Sequence, residues 1–260
     1  MTPYLAHIDI FPIKSLDGVA VPQAKVLGSG ALWGDRAYAL LDSQGRFING
    51  KRNAAVHRLR TAFSNDWESV RLGVEGKDSS LTFHFERQHR ELEDWLSEYF
   101  QQPVTLAENR QTGFPDDTKA AGPTLISTAT LRTIASWYPG LTVAEVRRRF
   151  RTNLEIDGVP AFWEDQLFGP GSAPVRFVIG DVVLTGVNPC QRCVVISRDS
   201  HTGEAFPAFQ TIFSQRRADT LPHWTHPSRF NHFYRLAVNT NIVAQGGKLL
   251  TVGDSVTPWS

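Results

Sequence analysis

Apolar residues in this chain come in runs of four to seven that stop at Gly, Asp or Pro. That punctuation restricts the fold to one built mainly from short strands, because such runs are too short for most helices and end where backbones turn. Gly (20) and Pro (15) supply the stops. Ala6-His7-Ile8-Asp9-Ile10 alternates apolar and polar residues, as a strand with one buried face does. Residues 38–41 and 47–48 flank Asp42-Ser43-Gln44-Gly45, which reads as a hairpin with Gly placed for positive φ. Residues 70–74 pair with 81–85 in this reading, and 175–179 with 182–184 across Gly180-Asp181. Residues 194–197 read as another strand, followed by a turn over 199–203. Helices are few. Leu92, Trp95, Leu96, Tyr99 and Phe100 recur at helical spacing and predict a helix over 90–100. A second follows Ser127-Thr128, with Leu131, Ile134 and Ala135 on one face. Thr142 and Glu145 match a capping box that starts a third, ending near Arg149. The fold class expected is mainly β with a few helices, α+β.

With 260 residues the chain accommodates two modest cores, and the polar, turn-rich stretch at 116–123 divides it into modules at 1–120 and 121–260. Lys+Arg of 27 against Asp+Glu of 26 excludes a polyelectrolyte, so no nucleic-acid partner is expected. No run of 18 apolar residues and no leader-like N-terminus is visible, so no membrane partner and a cytoplasmic location are expected.

Cys190 and Cys193 are the two cysteines, three apart in Asn188-Pro189-Cys190-Gln191-Arg192-Cys193. A thioredoxin-like pair needs its first Cys at a helix N-terminus, and structural zinc needs four ligands; neither context is visible. Two small buried hydrophobes, a redox-sensing pair, and a single thiolate on a soft metal with Arg192 nearby stay open. Arg147-Arg148-Arg149-Phe150-Arg151 is the densest positive run. Cations at a helix C-terminus are ordinary, which leaves Arg151, beside Thr152 and Asn153, the least accounted for. Ser127 and Thr128 open a helix, where hydroxyls cap and free N–H groups bind anions. Lys14 and Ser15 follow the first strand, and Arg36 precedes another.

Together these segments resemble the MOSC superfamily, in the branch with an N-terminal β-barrel domain that includes the mitochondrial amidoxime reducing component and its bacterial relatives. Phe11-Pro12-Ile13-Lys14-Ser15, Gly34-Asp35-Arg36, Leu125-Ile126-Ser127-Thr128, Arg149-Phe150-Arg151-Thr152-Asn153, Cys190-Gln191-Arg192-Cys193 with Asp199-Ser200-His201-Thr202-Gly203, and Val252-Gly253-Asp254 carry the resemblance in order. Thr152 stands where Pro is usual. The resemblance implies a β-barrel-like module at 1–120 followed by a MOSC β-barrel domain at 121–260. It also implies a molybdenum cofactor, Mo-molybdopterin, with Cys193 as the catalytic residue and metal ligand. Lys14, Ser15, Arg36, Ser127, Thr128, Arg151, Asn153 and Arg192 are then the cofactor-binding residues. The implied activity is reduction of N-hydroxylated compounds to the parent amines. Electrons come from a separate donor protein of iron–sulfur or cytochrome type, since two cysteines cannot form a four-thiolate cluster nest. The rival is a cofactor carrier or sulfur-transfer module without turnover. Residues 214–233, with Arg216, Arg217, His223 and His226, do not align, and read either as a border of the pocket or as a surface excursion.

Overall fold

The computed structural model describes residues 2–171 and 173–258. Strands dominate the described residues, with four α-helices. The first half holds β1 (Tyr4–Ile10), β2 (Val19–Ala20), β3 (Gln23–Lys25), β4 (Tyr38–Leu41), β5 (Leu59–Phe63), β6 (Ser69–Val74), β7 (Ser80–His84), α1 (His89–Phe100) and β8 (Thr105–Glu108). The second holds β9 (Leu125–Ser127), α2 (Thr128–Ser136), α3 (Val143–Phe150), β10 (Leu154–Asp157), β11 (Val175–Ile179), β12 (Val182–Gln191), α4 (Phe209–Asp219), β13 (Arg235–Asn241), β14 (Leu249–Thr251) and β15 (Val256–Pro258).

Where alternation and turn chemistry were strong, the pairs form. β6 and β7 run antiparallel, Val70 opposite Phe83 and Leu72 opposite Leu81. Gly45 sits at φ 71° in the turn after β4, and Leu41 bridges Phe47. α1 buries Leu92, Leu96 and Phe100 into a cluster with Val70, Phe83 and Phe85. Eight strands form one sheet in the order β15-β11-β12-β13-β9-β10-β1-β2. β1 lies antiparallel to β10, with Leu5 opposite Ile156 and Ile8 opposite Leu154, both sides fully buried. The opening strand of the first half is therefore built into the sheet of the second, and the polar stretch at 116–123 does not separate the two in space.

Two local expectations are corrected. Residues 194–197 form a 3-10 turn (Val194–Ser197) and not a strand, because the Ser197 hydroxyl donates to the Val194 carbonyl at 2.7 Å and no neighbouring strand is there to pair. β-Branched residues favour strands only where a pleated partner exists. β12 runs on to Gln191, so Cys190 sits on a strand, where the segment 188–193 reads from sequence as a short loop or its exit. Residues 209–219, not anticipated as a helix, form α4. Its buried stripe is Phe209, Phe213 and Arg217, a cation where an apolar residue would reveal the period.

Arg217 is wholly buried and pairs with Asp165, whose carboxylate also accepts from the Thr225 hydroxyl at 2.8 Å. Beside this pair, Ser127 caps α2 by accepting from the Thr130 N–H at 3.1 Å. The Thr130 hydroxyl donates to Glu164 at 3.1 Å, and the second Glu164 oxygen has no partner. Burial, followed by the charge of Asp165, raises the Glu164 carboxyl from 4.5 to about 7. The folded protein thus holds a proton that the unfolded chain releases between those values, so stability falls as pH rises through that window and levels off above it. The full loss is about 3 kcal/mol. Glu164→Gln, neutral at every pH, is expected to melt progressively higher than the parent as pH goes from 4.5 to 7, with the gain constant above 7. A pH-independent difference in melting midpoint between the two proteins would contradict the buried carboxyl.

Candidate functional site

A cleft of about 1650 Å³ lies between the halves. Thirteen Lys and Arg side chains line it against four Asp and no Glu, although the whole chain carries 27 and 26 charges of the two signs. Basic groups outnumber acidic ones on this wall, a lining suited to an anion.

The first half supplies Lys14, Ser15 and Arg36. Lys14 is buried after β1, donates to the Phe114 carbonyl at 2.9 Å and pairs with Asp116. Burial tends to push the Asp116 carboxyl up, but Arg36 and Lys14 outweigh it and hold the group at about 2. Arg36 pairs with Asp35, and its guanidinium lies 5.3 Å from the centre of the Phe11 ring. From the second half, Arg151 caps α3 and places its guanidinium 4.3 Å from the same ring. Burial, then repulsion from Arg36, lowers Arg151 to about 10. Arg147 is committed to Glu155 at 2.6 and 3.0 Å, and Arg149 to Glu145 at 2.6 Å. Among the described residues, Arg151 forms no ion pair. Ser15 (φ 75°), Arg36 (φ 50°) and Arg151 (φ 53°) all adopt the left-handed conformation that non-glycine residues avoid. Such backbone strain gathers at functional sites.

The predicted residues do not all converge. Ser127 and Thr128 are buried and are not among the cleft residues; Ser127 caps α2, one of the two readings of a hydroxyl at a helix start, and Thr130 of the first turn bonds Glu164. Asn153 is also outside the cleft wall and acts as a brace. It donates to the Asp9 carbonyl at 3.1 Å and to Asp35 at 3.0 Å, and accepts from the Arg36 guanidinium at 3.3 Å. Arg192 donates to the Phe150 carbonyl and stacks over that ring at 5.0 Å, leaving its buried Nε without a partner.

Both thiols are free. Cys190 is buried and donates to Asn239; burial, only partly offset by Arg192, pushes it up to about 11. Cys193, one residue past Arg192, is half-buried on the cleft wall and begins the 3-10 turn. The next turn is tied to α3, since Glu145 accepts from the Ser200 N–H at 2.9 Å and hydroxyl at 2.6 Å.

Residues 2–105 match the family model described as MOSC N-terminal beta barrel domain, and residues 124–257 the model described as MOSC domain. The chain belongs to the MOSC family. Among curated relatives, a molybdenum cofactor sulfurase of Drosophila grimshawi is 23% identical over 91% of this chain and 33% of its own. That of Drosophila melanogaster is 25% identical over 83% and 30%. The chain spans about a third of the length of these relatives. The crystal structure of the YuaD protein from Bacillus subtilis matches all of this chain and 98% of its own at 11% identity, with a TM-score of 0.38.

This MOSC protein also carries cleft residues that sequence reasoning passed over. Asp116 lay in an apparent linker, and its signal is the approach of one acid to two buried cations. Arg60 and His57 line the wall from a segment with no pattern assigned to it, and His201 from the turn at 199–203. Added inorganic pyrophosphate, at about ten times its Kd, is expected to stabilise the protein by about 1.4 kcal/mol. Removing the unpaired guanidinium in Arg151→Ala is expected to weaken that affinity about ten-fold. Melting curves over a pyrophosphate titration measure both, and identical shifts in parent and variant would contradict the anion-receptor assignment.

Proposed function

We propose that this MOSC protein binds a molybdenum cofactor across the cleft and reduces N-hydroxylated compounds to the parent amines, taking electrons from a separate iron–sulfur or cytochrome donor. The observation that carries the reading is a half-exposed thiol on the wall of a cleft with thirteen cations and four acids. The residues fit such a group. Lys14, Ser15, Arg36 and Arg151 offer charge-assisted hydrogen bonds to a phosphate, and the unpaired Arg151 has no internal carboxylate to give up. Arg192 stands one residue from Cys193 on the same wall. Cys190 stays protonated and serves the wall, which leaves the Cys193 sulfur as the ligand for a soft metal. Among the described residues no three His, Cys, Asp or Glu side chains converge as a metal site, so a metal on Cys193 takes its remaining ligands from a cofactor.

When bound, the cofactor supplies a two-electron couple and an acceptor for oxygen, which side chains lack. The net reaction consumes an N-hydroxylated compound, two electrons and two protons and yields an amine and water. The chain's share is to hold the anion, present the Cys193 sulfur and enclose the reactants. At about 1650 Å³ the cleft exceeds the roughly 300–1,000 Å³ of a typical small-molecule pocket, so a cofactor and a substrate fit together.

A second reading is a cofactor carrier or sulfur-transfer module without turnover, favoured by the names of the curated relatives. Both readings predict about one molybdenum and one pterin per chain. Reduction of benzamidoxime with a chemical electron donor, lowered at least ~100-fold in Cys193→Ser, is expected only under the first. A molybdenum-loaded protein that reduces no N-hydroxylated compound would leave the carrier reading, and full turnover by Cys193→Ser would overturn the role given to that sulfur.

A further inference from the structure

Residues 228–235 bring to the cleft two cations outside the set assigned to the cofactor. Ser228, Arg229, Asn231 and Arg235 all line it. Arg229 donates to the Gly169 carbonyl at 2.6 Å and the Val187 carbonyl at 2.8 Å. Arg235 donates to the Pro189 carbonyl at 3.0 Å, and its Nε and other terminal nitrogen to Asn231 at 3.1 and 3.0 Å. Every one of these acceptors is neutral. Among the described residues neither guanidinium forms an ion pair, so both are aimed and fixed with their charges uncompensated, in the manner of an anion clamp awaiting its ligand.

The two stand side by side, since they donate to the Val187 and Pro189 carbonyls, two residues apart on β12, and the charge of Arg235 adds to burial in lowering Arg229. They are held by other elements than Arg36 and Arg151: Arg229 and Arg235 by carbonyls of β12 and by Gly169 and Asn231, Arg36 by Asp35, and Arg151 at the end of α3. They also adjoin Cys193. Arg235 faces Gln191 across the β12–β13 ladder, two residues before that cysteine. Neighbouring Tyr234 accepts from the Arg192 N–H at 3.0 Å and donates its hydroxyl to the Cys193 carbonyl at 3.4 Å.

We infer that Arg229 and Arg235 form a second anion seat in the cleft, which takes an acidic group on the substrate. This rests on the reductase reading above and narrows it: the preferred substrate is an N-hydroxylated compound that also bears a carboxylate or a phosphate-like group. A paired guanidinium fork distinguishes such a compound from its neutral analogue by about 10- to 100-fold in KM, with the effect falling at high salt.

The experiment compares benzamidoxime with its 4-carboxy and 4-phosphono derivatives on the molybdenum-loaded protein. At least one anionic compound is expected to show a KM about ten-fold or more below that of benzamidoxime, and which one it is separates carboxylate from phosphate recognition. In Arg229→Gln/Arg235→Gln the ratio is expected to collapse toward one, and Arg235→Lys, which keeps the charge without the fork, to retain part of it. Equal KM values for all three compounds in the parent, or a preference that survives in the double variant, would overturn the seat. If no N-hydroxylated compound is reduced, the reductase reading fails separately. Calorimetric titration with unreactive benzamidine and 4-carboxybenzamidine then reads the seat alone: tighter binding of the carboxylate that the double variant loses supports it, and equal binding rejects it.

Discussion

Like charges resist being gathered, and the cleft gathers thirteen of them. The surrounding architecture can be understood as the means of tolerating that repulsion without cancelling it. Six of the cations are tied down by ion pairs: Arg147 to Glu155, Arg148 to Glu145, Arg149 to Glu145 and Asp199, Arg60 to Asp17 and Glu75, Arg36 to Asp35, and Lys14 to Asp116. These pairs fix the geometry, since an ion pair in a dry wall is held by hydrogen bonds as much as by charge. Among the described residues the other seven form no ion pair: Lys51, Lys119, Arg192, Arg198, Arg151 at the end of α3, and the Arg229–Arg235 pair beside the cysteine loop. A receptor for a large anion needs such residual charge, and in a chain of net charge +1 it arises from distribution and not from composition.

The backbone carries part of the same burden. Ser15, Arg36 and Arg151 sit in a left-handed conformation where glycine would be easier. They are kept there by contacts from both halves: Asn153 bonds Asp9, Asp35 and Arg36 at once, and Phe11 lies under both guanidiniums. Asn153 therefore contributes to the cleft from behind its wall, which explains why a residue with no face on the cleft accompanies Arg151 in the motif.

Much of the fold was legible because its signals were local. The capping hydroxyls of Ser127 and Thr142, the α1 stripe and the turns at Gly45 and Gly180 each depend on a few adjacent residues, and each appears where the pattern put it. Where tertiary context decides, the sequence was silent or misleading. The Val194–Ser197 turn has β-branched residues but no partner strand among the described residues, and α4 hides its period behind a buried arginine. For the site, motif residues pointed to Lys14, Ser15, Arg36, Arg151, Arg192 and Cys193, all of which line the cleft. Asp116, Arg229 and Arg235 were not legible in the same way, because their meaning lies in what they approach across long stretches of chain.

The insertion of β1 between β10 and β2 means that order along the chain and order in space disagree. A break in the peptide near residues 109–124 would leave two fragments still stitched by a ladder of main-chain hydrogen bonds and by the apolar contacts of Leu5, Ile8 and Ile10. Such a molecule is suited to fragment complementation, in which the amino-terminal piece restores the other by supplying its missing strand. The carboxy-terminal piece alone would instead present the bare edge of β10, an adhesive surface for other chains.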